Sequence, residues 1–122
     1  MARKKILVVD DEPDIVESIK TVLEREGYAV VTAQNGAEAL KKLEKHKVDL
    51  ALIDFFMPEM SGRQLIEEIR KNPAISKTKV AMVTVAQIPT VGQKTLKKMK
   101  VADYIRKPLE LKDFVKRVKA LA

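Results

Sequence analysis

The sequence predicts a single α/β domain, a doubly wound parallel sheet with helices on both faces, and three observations predict it. Residues 6–9 (ILVV), 50–53 (LALI) and 80–83 (VAMV) are short, continuous apolar runs, the signature of strands buried on both faces. The segments between them carry apolar residues at helical spacing. The two kinds of segment alternate, and parallel strands joined through helices need right-handed crossovers.

Taken in order, the first strand (Ile6, Leu7, Val8, Val9) runs into Asp10, Asp11 and Glu12. Pro13 suits the first position of a helix, Ile15, Ile19, Val22 and Leu23 stripe it, and Gly27 is placed to end it. Residues 28–33 form a β-rich run, and Asn35 is the expected N-cap of a second helix with Ala37, Ala39, Leu40 and Leu43, reaching about His46. The third strand ends on Asp54. Pro58 then breaks strand geometry, and Ser61-Gly62 open a helix carrying Leu65, Ile66 and Ile69 that stops before Asn72-Pro73. The fourth strand ends on Thr84 where the first and third end on acids. A loop over residues 85–89 leads to Thr90, with Gln93 three residues on as in a capping box, and to a helix through Lys100. Residues 101–105 form the last strand, Arg106, Lys107 and Pro108 follow, and Leu111, Phe114, Val115, Val118 and Leu121 stripe the last helix. The expectation is five strands and five helices.

A chain of 122 residues is expected to be one domain, 1–122, able to bury a core without staples. It has no cysteine and one histidine, His46, which excludes disulfides, thiolate metal sites and a histidine cluster. No apolar run approaches the roughly 18 residues of a membrane span, and the apolar stretch near the start is too short for a signal peptide. A cytoplasmic protein without a membrane partner is expected. The net charge is +7, and residues 94–119 hold ten of the 24 basic residues and three of the 17 acidic ones, so the rest of the chain balances at 14 of each. Lys94, Lys97, Lys98, Lys100, Arg106, Lys112, Lys116, Arg117 and Lys119 read most simply as solvated helix faces, and more sharply as a dock for an acidic protein surface. Without a groove-reading motif or an aromatic platform, nucleic acid is not the expected partner.

Asp10/Asp11, Asp54, Thr84 and Lys107 sit at four strand ends and therefore face one edge, the edge where open parallel sheets bind ligands. Taken alone each is ordinary: Asp54 caps a loop, Thr84 ends a strand, Lys107 is a solvated lysine, and Tyr104 is a partly buried aromatic with a wet hydroxyl. Together they call for chemistry. Two carboxylates about 4 Å apart repel by roughly 4 kcal/mol at an effective dielectric near 20, a burden that a cation relieves. Oxygen ligands without His or Cys suit Mg²⁺, which keeps waters that a phosphate can replace. Beside such an ion an aspartate can attack a phosphoryl group and form an acyl phosphate.

The segments VVDDEP, LIDFFMPEMSG, MVTV and YIRKP run in order through essentially the whole chain, and this pattern resembles the receiver domain of two-component response regulators. The resemblance implies a CheY-like, stand-alone receiver with strand order 2-1-3-4-5 in a flavodoxin-like three-layer sandwich of five strands and five helices. It implies that a sensor histidine kinase or phosphotransfer protein gives its phosphoryl group to Asp54. By the same likeness Asp11 is a direct Mg²⁺ ligand, Asp10 acts largely through water, and the backbone carbonyl of Phe56 joins Asp54 at the metal. Thr84 and Lys107 receive the phosphoryl oxygens, Lys107-Pro108 is often a cis peptide, and Tyr104 is the rotamer switch. Site occupancy is thereby expected to remodel the surface of the fourth helix, fifth strand and fifth helix, where an output protein binds, in a monomer or a phosphorylation-dependent dimer.

Three departures from the family pattern carry expectations of their own. Val85 stands where a small residue is usual and narrows access to the phosphate. Phe56 and Ala86 are apolar where many relatives orient water, so the acyl phosphate should be long-lived; a lifetime of seconds in the purified phosphoprotein would reject that. Val101 replaces the usual glycine before the last strand, so that turn must be built differently. Two other readings stand beside the receiver. One is a phosphorylation-independent interaction module on the same fold. The other is a Mg²⁺-dependent phosphatase, which usually has a second acid two residues after the nucleophile, where Phe56 sits; no turnover of an external substrate is expected.

Overall fold

The computed structural model describes residues 3–84, 100–106 and 110–122. The elements are β1 (Lys5–Val9), α1 (Pro13–Arg25), β2 (Ala29–Ala33), α2 (Gly36–Lys45), β3 (Leu50–Asp54), α3 (Gly62–Lys71), β4 (Val80–Thr84), β5 (Val101–Arg106) and α4 (Leu111–Leu121). The helix expected from Thr90 lies outside the described residues, as do Val85, Ala86, Lys94, Lys97, Lys98, Lys107 and Pro108. Four helices are therefore present among the described residues, and none is long and apolar enough to cross a membrane.

The strands form one parallel sheet in the order β2-β1-β3-β4-β5, as expected from the alternation and the resemblance. Successive side chains along each strand point to opposite faces, so the continuous apolar runs feed two cores. Leu7, Val9, Ala51, Ile53 and Met82 pack with Leu43, Leu65, Ile66 and Ile69 of α2 and α3. Ile6, Val8, Leu50, Leu52, Ala81 and Val83 pack with Ile19 and Leu23 of α1 and with Phe114 and Val118 of α4. Strand order reverses between β1 and β3, and that reversal opens the crevice at their C-terminal ends.

Local signals place the helix ends. Gly27 takes φ 95°, its N–H donates to Glu24 at 3.1 Å and the N–H of Tyr28 to Leu23 at 3.1 Å, a left-handed stop that satisfies the last carbonyls of α1. That use of the Tyr28 N–H is why β2 begins at Ala29, one residue later than its β-rich composition suggests. Asn35 Oδ1 accepts the Glu38 N–H at 2.8 Å. Ser61 and Gln64 form a reciprocal capping box at 3.2 and 2.9 Å.

The turn into β5 answers the missing glycine. Positive φ falls on Lys100, at 61°, one residue before Val101. Its carbonyl accepts from Arg70 at 3.1 Å, and the same guanidinium donates to the carbonyls of Ser76 and Thr78 at 2.8 and 2.6 Å. Burial pushes the Arg70 pKa down, and these carbonyls compensate for the lost water. Just beyond, the pairing passes from Val80↔Val101 to Ala81↔Asp103, which leaves Ala102 as a bulge in the edge strand.

Candidate functional site

Asp10 follows β1 and is 2% exposed; its N–H donates to Ala33 at 3.2 Å and its Oδ1 accepts the Glu12 N–H at 3.0 Å. Asp54 closes β3 and is 6% exposed, with the Phe56 N–H reaching its Oδ1 at 3.4 Å. Asp11 is partly exposed at the mouth. One carboxylate oxygen from each of the three lies within 4.8 Å of the others. Like charges at that separation repel by about 3 kcal/mol per pair at an effective dielectric near 20. Three hard oxygen donors, two of them buried and one open to solvent, fit a Mg²⁺ ion that keeps part of its water shell.

The loop after Asp54 is shaped by contacts that the motif alone does not reveal. The Phe55 N–H donates to Val83 at 3.3 Å and the Phe55 carbonyl accepts from Gly62 at 2.9 Å, so the first turn of α3 lies against the strand that carries Asp54. A Cβ on Gly62 would collide with the Asp54 carbonyl oxygen and the Phe55 Cα. Gly62 therefore does more than open a helix: it lets α3 press on the backbone of Asp54. Gly36, at the start of α2, likewise has no room for a Cβ beside the thioether of Met60. Glu59 holds φ 68° without being glycine, and nothing in its identity announces that. The Phe56 side chain is 52% exposed and meets Phe55 edge-on, with ring centroids 4.7 Å apart at 74°.

Thr84 is buried at the end of β4, one residue beyond the Val83 that pairs with Asp54, and therefore on the same edge. It pairs with Arg106 of β5, the residue before Lys107; Lys107 itself lies outside the described residues. Tyr104 pairs with Met82 and packs on the α2–α3 side of the core. Its hydroxyl is buried and has no hydrogen-bond partner among the described residues, so the wet hydroxyl expected of an isolated tyrosine is not what forms. Burial pushes the phenol pKa up.

On the basic C-terminal helix, Arg117 grips both Asp103 oxygens at 3.0 Å and Asp113 at 2.8 Å, pairings that push its pKa up, the Asp113 hydrogen bond foremost. Lys119 pairs with Glu26 at 3.0 Å. Two of the cations expected to face a partner thus tie α4 to β5 and α1.

The description "Response regulator receiver domain" matches residues 6–119. The chain is 37% identical over 118 residues to the alkaline phosphatase synthesis transcriptional regulatory protein PhoP of Bacillus subtilis, which covers 97% of this chain and 48% of that protein. It spans about half the length, or less, of the curated relatives it matches. Among solved structures, the chemotaxis protein CheY4 of Vibrio cholerae superposes with a TM-score of 0.92 at 28% identity, over 99% of this chain and 100% of that one. The response regulator TrrA of Thermotoga maritima, solved in complex with Mg(2+)-BeF, gives 0.83 at 37% identity over 98% and 99%. A receiver sequence pattern, a 2-1-3-4-5 parallel sheet and three acids at its switch point agree with these matches, and the chain belongs to the response regulator receiver domain family.

Proposed function

We propose that this receiver accepts a phosphoryl group on Asp54 from a histidine kinase or phosphotransfer protein and passes the signal to a protein partner. The observation that carries the reading is the meeting of the Asp10, Asp11 and Asp54 carboxylates within 4.8 Å at the switch point of the sheet. Asp10, Asp11, Asp54 and the Phe56 carbonyl would hold Mg²⁺, which would offset charge on the phosphoryl oxygens; the Mg(2+)-BeF complex of the Thermotoga maritima relative supports that ion. An Asp54 oxygen attacks phosphorus in line, the P–N bond of the phosphohistidine breaks, and its electrons leave with the imidazole, which takes a proton. The product is an acyl phosphate on Asp54. The Thr84 hydroxyl and Lys107 ammonium take the phosphoryl oxygens, and Thr84 vacates space for the Tyr104 ring. The burial of Thr84 beside the strand that carries Asp54 and the Tyr104 hydroxyl, buried with no partner among the described residues, support this coupling, because such a phenol gains little by staying where it is. Phe56 stands where a phosphatase would carry its second acid, so small phosphate esters should not turn over.

The test is incubation with acetyl phosphate and Mg²⁺ followed by intact-mass measurement. The wild-type chain should gain one phosphate and the Asp54→Asn variant none. A gain of phosphate in the variant, or its absence in both, rejects Asp54 as the acceptor.

A further inference from the structure

Along the sequence the first 93 residues are electrically balanced, 14 basic against 14 acidic. In space they are polarised. Parallel strands joined by helices send whatever follows a strand to one edge of the sheet and whatever precedes it to the other. Asp10, Asp11, Asp54 and Glu59 follow strands. Exposed lysines precede them, Lys4 before β1, Lys45 and Lys47 before β3, Lys77 and Lys79 before β4, and from beyond those 93 residues Lys100 before β5 joins them. Those four strands are neighbours, so the cations form a band along the edge opposite Asp54. Glu44 and Asp49 share that edge, and Asp49 is engaged by the Lys5 N–H at 2.7 Å. Lys79 reaches the Leu121 carbonyl at 2.6 Å, and the approach to β2 mixes Arg25 with Glu24 and Glu26.

Within the band lies a groove of about 460 Å³ between the end of α2 and the connection from α3 to β4. Leu43 and Ile75 are buried and Val48 is partly buried, giving the groove an apolar floor, while exposed Lys45, Lys47 and Lys77 outnumber the one exposed acid, Glu44, on its rim. A cationic rim over an apolar floor matches one ligand chemistry well. We propose that this groove docks an acidic amphipathic segment of a partner protein, with apolar side chains on the floor and carboxylates on the lysines. A nucleic acid would engage the rim alone, since no Phe, Tyr or Trp of the described residues lines the groove for a base to stack on and the His46 ring there is partly buried. The groove faces away from Asp54, so a docked partner leaves the acidic edge open, and its binding does not depend on the phosphoryl chemistry.

The test titrates the 122-residue protein with a helical peptide of about 16 residues, leucines along one face and glutamates along the other, followed by backbone amide NMR. Shifts should centre on residues 43–48 and 74–78. Combining Lys45→Glu with Lys77→Glu should weaken binding about tenfold or more while phosphate uptake from acetyl phosphate is retained. Shifts that map onto α4 instead, or unchanged affinity in the double variant, overturn the proposal. So does equally tight binding of polyglutamate of the same length, which makes no use of the floor, or tighter binding of a single-stranded oligonucleotide of equal charge.

Discussion

Tyr104 is the residue whose surroundings are most at odds with its chemistry. Its hydroxyl is out of water with no partner among the described residues, and an unsatisfied buried polar group costs about 1–3 kcal/mol. Tyr104→Phe removes that group and keeps the ring, so the variant should unfold about 1 kcal/mol harder in urea at neutral pH. The raised phenol pKa gives the effect a pH signature. The folded chain holds this proton more tightly than the unfolded chain, so the unfolded state ionises first and stability falls as pH rises past about 10. That alkaline loss should be smaller in Tyr104→Phe; an equal loss in the two proteins would mean that the hydroxyl is solvated. Tyr104 could be read from the sequence as an aromatic in the last strand, but not as one with a stranded hydroxyl, because the groups that could satisfy it come from other strands and helices.

At the scale of elements, the strands, most caps and the position of the acids were legible because each depends on residues within a turn of one another. Asn35, Ser61-Gln64 and Gly27 act locally, and they cap and stop helices where their identities suggest. What escaped notice were contacts between elements. Gly62 against the Asp54 carbonyl, Met60 over Gly36 and the Arg70 clamp on three carbonyls join segments whose meeting depends on the whole sheet. The two glycines give a direct comparison. Gly62→Ala places a methyl against backbone that cannot yield, and should cost about 3 kcal/mol in chemical denaturation and slow phosphorylation of Asp54. Gly36→Ala meets only the side chain of Met60, from its Cβ to its thioether, which can turn aside where backbone cannot, and should cost less than Gly62→Ala, about 1 kcal/mol. Equal losses in the two variants would show that α3 can back away from the acceptor strand.

Over the whole molecule, the three acids store repulsion that the rest of the fold must outweigh. Mg²⁺ should therefore stabilise the chain, by about 2.7 kcal/mol at a hundred times its dissociation constant, seen as a rise in thermal midpoint. Asp11→Ala should lose that rise and, without Mg²⁺, melt no lower than the wild type, since one repelling charge is gone. An equal Mg²⁺ response in the variant would move the ion elsewhere. The fold class and the acidic edge were visible in the alternation of segments; the basic edge was not, since a running tally of charge hides which residues a parallel sheet carries to which end. The bulge at Ala102 has a consequence of the same long reach. A straight outer strand invites another molecule to continue its hydrogen-bond ladder, and repetition of that step builds fibres. One surplus residue puts the margin of this sheet out of step, so concentrated solutions of the folded chain are protected against polymerising through it.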